Sequence, residues 1–311
     1  MLCNLCGFRE AVFFRRFSGE KLCKSCFIHS IEKKVKKTIS KYEMFDIDDR
    51  IAVAVSGGKD SLSLLEILYR IEKKFPKSSL FAITIDEGIH GYRDEAVKNA
   101  ENFCKKLGIE HYVASFEELY GLTVDEIAKE IKDKQGELTP CSYCGVLRRK
   151  ALNKIAKEHE ATKLATAHTL DDEVQTIMLN FIHGDFMRAA RVEPKLEGGI
   201  EGFVQRVKPF CEIPQEEVAL YAYFKGISFQ SSECPYASLA LRSEIREFLI
   251  KLEDKHPGTR YNIYRSFEKI RPILKQNIRY ELKICKICGE PSSKDICEAC
   301  RMVKKFLSNF Y

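Results

Sequence analysis

The chain has 311 residues, 45% of them hydrophobic, which is enough for one α/β domain of about 200 residues plus smaller modules. Its apolar runs are strand-length, and none reaches the roughly 20 residues that a membrane helix needs. With no secretory pattern after Met1, we expect a cytoplasmic protein without a membrane partner. The formal net charge of +6 is compatible with a nucleic-acid partner but does not identify one.

The first 30 residues form a predicted zinc ribbon. Two Cys-x-x-Cys pairs, Cys3/Cys6 and Cys23/Cys26, flank a short polar and aromatic stretch. In a reducing compartment such pairing favours metal ligation over disulfides, and four thiolates predict tetrahedral zinc. Apolar residues at helical spacing over 28–43 then predict a basic linker helix within 31–48.

Residues 49–235 form the predicted catalytic domain, in which strand and helix patterns alternate. That alternation predicts a doubly wound, mostly parallel sheet covered by helices on both faces. The predicted strands are 51–55, 80–85, 111–115, 163–167 and 204–210. The predicted helices of this region are 61–75, 92–107, 144–159, 171–183 and 214–225.

A glycine-containing turn links the first of these strands to the next helix. Glycines let the backbone approach a ligand closely, and the amides at a helix N-terminus favour phosphate. A lysine adds positive charge, two serines add hydroxyl donors, and an aspartate could hold a magnesium ion between phosphates. The alternative is a tight turn that binds nothing. The six residues are Ser56, Gly57, Gly58, Lys59, Asp60 and Ser61.

A fifth cysteine pair, Cys141/Cys144, opens a basic helix in the middle of the chain, and Cys234 lies in a separate Glu-Cys-Pro-Tyr segment. A thiolate near a helix N-terminus and basic side chains is expected to have a depressed pKa. Three thiolates can hold an iron–sulfur cluster with one open iron, and two can carry a persulfide. A redox-inert structural thiol group is the alternative. Cys104 and Cys211 are expected to be packing cysteines.

Three further residues are candidates for catalysis. Asp171 and Asp172 follow a predicted strand, where the sheet would present them to a bound phosphate ligand or metal, although aspartate there also caps helices. Lys150 is a candidate substrate or phosphate contact, with a solvated helix face as the alternative.

The C-terminal part consists of a predicted helical region, 236–282, with helices over 238–255 and 261–274, and a second ribbon with a tail, 283–311. The ribbon cysteines, which predict the second zinc ion, are Cys285, Cys288, Cys297 and Cys300. Basic segments adjoin both ribbons and suit an RNA backbone, with solvated surface as the alternative. They include Arg15, Arg16, Lys33 to Lys41, Arg271 to Lys283, Lys304 and Lys305.

In combination these motifs resemble the tRNA 2-thiolation family of PP-loop ATP pyrophosphatases, over nearly the whole chain. The shared features are the two terminal ribbons and five internal motifs, in chain order. These begin at Ser56, Ile85, Cys141, Ala167 and Glu233. Position 169 is Thr where relatives often carry Asn, while the following Asp171-Asp172-Glu173 is intact. The implied fold is of the adenine-nucleotide α-hydrolase-like PP-loop type.

The resemblance implies that ATP with magnesium adenylates the C2 oxygen of a tRNA uridine, after which sulfur displaces AMP. It implies nucleotide-binding roles for Asp86 and His168, and a [4Fe–4S] cluster on Cys141, Cys144 and Cys234. The sulfur donor would be external, such as a ubiquitin-like protein thiocarboxylate, since no rhodanese-like domain is visible. We also expect a homodimer.

Several functions compete within and outside this interpretation. Wobble uridine 34 is favoured over T-loop uridine 54 by the 91–94 motif and the all-cysteine N-terminal ribbon. A cytidine 32 thiolase usually lacks paired ribbons, and a tRNA-lysidine synthetase or adenylating amidotransferase needs no central cysteine trio. A zinc-ribbon RNA-binding adaptor would need no phosphate loop.

Overall fold

A computed structural model describes residues 1–132, 138–196, 202–237, 241–276 and 283–307. The N-terminal module is a hairpin of β1 (Phe13–Arg15) and β2 (Glu20–Leu22), followed by α1 (Lys24–Lys41). Cys23 is the N-cap of α1, so Cys26 lies in the first helical turn. The linker helix therefore begins inside the predicted 1–30 module instead of after it.

The catalytic domain is built on one parallel five-stranded sheet, which confirms the predicted fold class. Its strands are β3 (Arg50–Ala54), β4 (Ser79–Asp86), β5 (Glu110–Ser115), β6 (Lys163–Ala165) and β7 (Gln205–Val207). The order is β5-β4-β3-β6-β7, so β3 pairs with both β4 and β6. The chain adds β4 and β5 on one side of β3 and β6 and β7 on the other, so the winding direction reverses at β3. At such a reversal a crevice opens at the carboxyl ends of the strands.

Helices cover both faces of this sheet, and most of them match the predicted segments. They are α2 (Lys59–Glu72), α3 (Arg93–Leu107), α4 (Phe116–Tyr120), α5 (Val124–Ile131), α6 (Pro140–Glu158), α7 (Leu170–Ile182), α8 (Phe186–Ala189), α9 (Gln215–Lys225), α10 (Leu241–Lys255) and α11 (Thr259–Gln276). The short α4, α5 and α8 were not predicted, and the strand predicted over 204–210 is shorter. The start predicted for α10, at 238–240, lies outside the described residues. The C-terminal module contains β8 (Lys283–Ile284), β9 (Pro291–Ser292) and α12 (Glu298–Leu307).

Side chains alternate between two hydrophobic cores along β3, as the period-two geometry of a strand requires. Ile51 and Val53 belong to the core formed with α1, α2, α7, α9 and α11, whereas Ala52 belongs to the core formed with α5, α6 and α12. Because both faces are buried, the strand is apolar at successive positions, which is typical of parallel sheets.

A buried ion pair fastens the N-terminal module to α9. The Arg15 guanidinium, 2% exposed, donates to both carboxylate oxygens of Glu217 at 2.9 and 2.8 Å, and Lys34 approaches the same carboxylate at 3.2 Å. Arg15 is therefore not available to an RNA backbone, contrary to the sequence-based expectation. Among the described helices, none has the length and apolar character to cross a membrane.

Candidate active site

The loop between β3 and α2 has the geometry of a phosphate cradle. Gly57 has φ +82°, and a Cβ there would lie 2.0 Å from the carbonyl oxygen of Ala96, so only glycine fits. Ser61 holds the loop closed: its hydroxyl donates to the carbonyl of Gly58 at 3.0 Å and accepts from the Ser56 amide at 3.1 Å. The N-cap of α2 is Gly58, which offers no side-chain cap, so the first helical amides are left for an anion.

Two carboxylates face this loop. Asp60 pairs with Lys59 at 2.8 Å through Oδ2, while its other oxygen, Oδ1, is buried without a hydrogen-bond partner among the described residues. Burial raises the pKa of Asp60, Lys59 lowers it, and the nearby Asp172 raises it again. An orphaned carboxylate oxygen beside a second carboxylate fits the oxygen ligands that magnesium prefers.

The two predicted aspartates of α7 have different roles in the fold. Thr169 and Asp172 form a reciprocal capping box, in which the Thr169 amide donates to Asp172 at 2.9 Å. Asp171 is held by contacts with other helices: it pairs with Arg260 of α11 at 2.5 Å and accepts from the Gln215 amide at 2.7 Å. Asp172 thus both caps α7 and faces Asp60, whereas Asp171 ties three helices together.

Asp86 and His168 lie near the carboxyl ends of the two strands that flank β3. Asp86 is the last residue of β4, and His168 follows the end of β6. The carboxylate of Asp86 accepts from the Gly88 amide at 2.9 Å. The His168 ring nitrogen Nδ1 lies 2.8 Å from the Thr166 hydroxyl. Burial, with the cations Lys208, Arg206 and Arg242 close by, lowers the pKa of His168 to about 3 despite Asp172. This histidine is therefore neutral at physiological pH.

The three central cysteines come from two segments that meet at the N-terminus of α6. The Cys141 thiol donates to the carbonyl of Tyr236 at 3.2 Å, which docks the Cys234 segment on the helix. Cys234 packs against the core that contains Cys144. The three sulfurs do not form a compact single-ion group like those of the ribbons, whose ligand atoms lie within 4.8 Å of one another among the described residues.

The thiol pKa values differ from the sequence-based expectation. Burial raises the pKa of Cys141, and the charges of Cys234 and Cys144 raise it further. Burial also raises the pKa of Cys144, although Arg148 opposes the effect. The expected depression was wrong because burial and mutual thiolate repulsion outweigh the helix and its basic side chains. Cys141 and Cys144 could still bind a metal with Cys234, because the segments that carry them are in contact and a metal deprotonates the thiols that coordinate it.

A chain of charged side chains, to which the sequence interpretation gave no role, connects the phosphate loop with the cysteines. Arg93 donates to the carbonyl of Ser56 at 3.0 Å and pairs with the buried Glu87 at 2.6 Å. The other carboxylate oxygen of Glu87 pairs with Arg148 at 2.6 Å, and Arg148 donates to the Cys144 sulfur at 2.9 Å. Glu87 and Arg93 belong to motifs of the resemblance, which was the available signal, but only the fold reveals their contact.

Comparison with known proteins agrees with this geometry. A family model described as a PP-loop domain matches residues 28–253. A probable sulfurtransferase of Methanocaldococcus jannaschii is 39% identical over 98% of this chain and 88% of its own length. The tRNA 2-thiolation protein NcsA of Haloferax volcanii is 37% identical over 98% of both chains. The chain belongs to the tRNA 2-thiolation family of PP-loop proteins.

Members of this 2-thiolation family also occur among eukaryotes and among solved structures. Cytoplasmic tRNA 2-thiolation protein 1 of Dictyostelium discoideum is 37% identical over 99% of this chain and 84% of its own. The structure of a U34-tRNA thiolase, NcsA of Methanococcus maripaludis, described with its [4Fe–4S] cluster, superposes with a TM-score of 0.84. That structure is 36% identical and covers 99% of this chain and 96% of its own.

Both terminal modules of this family member bring four thiols together as the cysteine spacing predicts. Sulfur atoms of Cys6 and Cys23 lie 4.0 Å apart, and those of Cys288 and Cys297 lie 3.8 Å apart. A tetrahedron with Zn–S bonds of about 2.3 Å has sulfurs about 3.8 Å apart. Although burial opposes it, hydrogen bonds from ribbon amides lower the pKa of Cys285 to about 6. Both groups can hold a metal ion; they are Cys3, Cys6, Cys23 and Cys26, and Cys285, Cys288, Cys297 and Cys300.

Lys150 reaches the C-terminal ribbon and not the phosphate loop. Its ammonium donates to the Cys288 sulfur at 3.0 Å and to Glu290 at 2.7 Å. The contact places a positive charge against a thiolate ligand set and joins α6 to the ribbon. Of the basic residues expected to face RNA, Lys41 is also engaged internally, with Glu212 at 2.5 Å.

Proposed function

We propose that the protein is a tRNA sulfurtransferase that adenylates the C2 oxygen of wobble uridine 34 and replaces that oxygen with sulfur. One observation carries the proposal: Arg93, Glu87 and Arg148 connect the carbonyl of Ser56 in the phosphate loop to the sulfur of Cys144. Relatives at 36 to 39% identity, which are a probable sulfurtransferase, a tRNA 2-thiolation protein and a U34-tRNA thiolase, support it.

In the first half-reaction, the C2 oxygen of the uridine attacks the α-phosphorus of ATP. A new P–O bond forms, the bond between the α- and β-phosphates breaks, pyrophosphate leaves, and the base loses its N3 proton. The free amides of α2 and the Lys59 ammonium neutralise the polyphosphate. Asp60 and Asp172 would hold the magnesium ion, and the neutral His168 adds no positive charge that would compete with it.

In the second half-reaction, a sulfur nucleophile adds to C2 and AMP leaves with the original oxygen. Cys141, Cys144 and Cys234 would hold a [4Fe–4S] cluster, which supplies an open iron for sulfur when bound. Arg148 positions the Cys144 sulfur and links it to Glu87. We propose an external donor such as a ubiquitin-like thiocarboxylate, cytoplasmic location, and a homodimer as the working assembly.

The test is turnover with unmodified tRNA, ATP, magnesium and a sulfide or thiocarboxylate donor under anaerobic conditions. We expect 2-thiouridine at position 34, with AMP and pyrophosphate formed in equal amounts. Nucleoside mass spectrometry with fragment mapping identifies the base and its position. Thiolation at position 54 would move the target to the T-loop, and ADP as the stoichiometric product would reject adenylation.

We also propose that each terminal ribbon binds one zinc ion. Cys288→Ser is expected to lower the zinc content from about two ions per chain to about one, because three thiolates and a hydroxyl bind zinc far more weakly. Inductively coupled plasma mass spectrometry on purified protein measures this. Cys211→Ser, a buried cysteine outside both ribbons, is the matched control and should keep both ions. Unchanged zinc in the Cys288 variant would contradict the assignment.

A further inference from the structure

The segment that carries Cys234 also touches the phosphate loop. It follows α9, and its residues 227–234, all of them described, lie in neither a helix nor a strand, so individual contacts set its course. The buried Gln230 makes two such contacts. Its main-chain amide donates to the carbonyl of Gly57 at 3.3 Å, and its side-chain amide donates to the carbonyl of Tyr92 at 2.5 Å. The side-chain bond thus seats Gln230 where its main chain reaches the loop.

The other end of the Cys234 segment is fastened at the cysteine site. The carbonyl of Tyr236 accepts from the Cys141 thiol at 3.2 Å, and the Tyr236 hydroxyl donates to Asp125 of α5 at 2.7 Å. The half-buried Cys234 lies in the chain between this anchor and Gln230. The position of its sulfur therefore depends on two anchors, one of which is on the phosphate loop.

Two consecutive carbonyls of the phosphate loop are held by donors from outside the loop. Arg93 donates to the carbonyl of Ser56 at 3.0 Å, and Gln230 donates to that of Gly57. In a planar trans peptide the N–H points away from the carbonyl, so the bond from Gln230 directs the Gly58 amide to the opposite side. The Gly58 amide makes a contact of 3.5 Å with the Ser56 hydroxyl. A contact of that length is weak, which leaves this amide ready for a phosphate oxygen.

We propose that Gln230 is a positioning residue that couples phosphate binding at the loop to the position of Cys234. A phosphate that accepts from the Gly58 amide polarises the peptide it shares with Gly57, so the Gly57 carbonyl becomes a stronger acceptor for Gln230. The distance of 3.3 Å is long for an N–H···O bond, and the bond can shorten when nucleotide binds. This inference rests on the proposed function and adds an order to it: bound ATP fixes Cys234 before sulfur transfer.

The experiment measures the rate at which iodoacetamide alkylates Cys234 in the full-length, iron-free protein, by peptide mass spectrometry and without tRNA. The rate is compared with and without magnesium and a saturating non-hydrolysable ATP analogue. Gln230→Met keeps the side-chain length and removes the donor to Tyr92. Gln205→Met is the matched control, because Gln205 at the amino end of β7 likewise donates its side-chain amide to a carbonyl, that of Leu196 at 2.8 Å.

We expect the analogue to slow alkylation of Cys234 about threefold in the wild-type protein and in Gln205→Met, the effect of strengthening one hydrogen bond. In Gln230→Met the rates with and without the analogue should be equal. Linkage is reciprocal, so the same variant should bind the analogue more weakly by at most about threefold, which calorimetry measures. In turnover, Gln230→Met should therefore lower kcat for thiolation more than it raises the KM for ATP.

Three results would overturn the coupling. If the analogue slows alkylation equally in Gln230→Met and in the wild-type protein, the nucleotide shields Cys234 without Gln230. An alkylation rate that saturating analogue leaves unchanged in the wild-type protein would show that the two sites are independent. A loss of nucleotide affinity of about tenfold or more in Gln230→Met would assign Gln230 to the phosphate loop alone. Failure of the wild-type protein to bind the analogue would instead reject the proposed function.

Discussion

Asp60→Asn should give a folded protein that forms no detectable AMP or 2-thiouridine. The substitution changes a carboxylate of the phosphate loop whose Oδ1 is buried without a hydrogen-bond partner in the described part of the chain, and so removes the proposed magnesium ligand. Loss of a metal and its charge stabilisation is expected to lower the rate by at least about a thousandfold, an effect of roughly 4 kcal/mol on the barrier. Turnover of ATP with tRNA, followed by nucleotide chromatography, measures it.

The control for this variant is Asp48→Asn, the same chemical change at an exposed position just before β3, at the amino end of the strands and opposite to the phosphate loop. It should keep wild-type turnover. The Asp60 variant should also keep its melting temperature, because burial disfavours the charge that is removed. Turnover within tenfold of wild type would show that Asp60 holds no catalytic metal.

Cys144→Ser should abolish thiolation while adenylation continues. Cys144 is buried, and its sulfur is the point at which the Arg93–Glu87–Arg148 chain ends. A hydroxyl is a poor iron ligand, so anaerobic reconstitution should leave less than one cluster per chain, measured as loss of bound iron and of the visible absorbance of the cluster. AMP formation should persist because the phosphate loop lies on different elements.

Cys104→Ala provides the comparison, since Cys104 is a buried thiol of α3 that packs in the core outside the site. It should keep both iron and thiolation, at some cost in stability from the small cavity. Full thiolation by iron-free Cys144→Ser protein would eliminate the cluster. Loss of AMP formation in that variant would show that the cysteines and the nucleotide site cannot act separately.

Features encoded by neighbouring residues were predictable from the sequence. The phosphate loop is a continuous strand, turn and helix start, and the ribbon pairs are fixed by Cys-x-x-Cys spacing, so local patterns were enough. Strand and helix patterns alternate along the chain, and this alternation predicted the parallel sheet. The strand patterns are continuously apolar because the strands are buried on both faces. The resemblance added the association of Cys234 with the central pair, which spacing alone does not give.

Features that depend on long-range contacts were not predictable. The carboxylate of Glu87 meets Arg148 only after α6 packs on the sheet, and Lys150 meets Cys288 across 138 residues of sequence. The sequence predicted a substrate or phosphate contact for Lys150 and placed Arg15 in a basic segment suited to RNA, yet each has a partner elsewhere in the fold. The predicted depression of the pKa of Cys141 and Cys144 was wrong for the same reason, since burial is a property of the tertiary structure.

The contact between Lys150 and Cys288 makes metal occupancy and the position of α6 thermodynamically linked. An ammonium that stabilises a zinc-bound thiolate raises the affinity of the ribbon for its ion. Linkage is reciprocal, so the ion must stabilise the docked position of α6 by the same free energy. Since α6 also carries Cys141 and Cys144, loss of the proposed zinc ion is expected to weaken the docking of the helix that bears these two cysteines, and zinc depletion is then expected to lower the thiolation of tRNA.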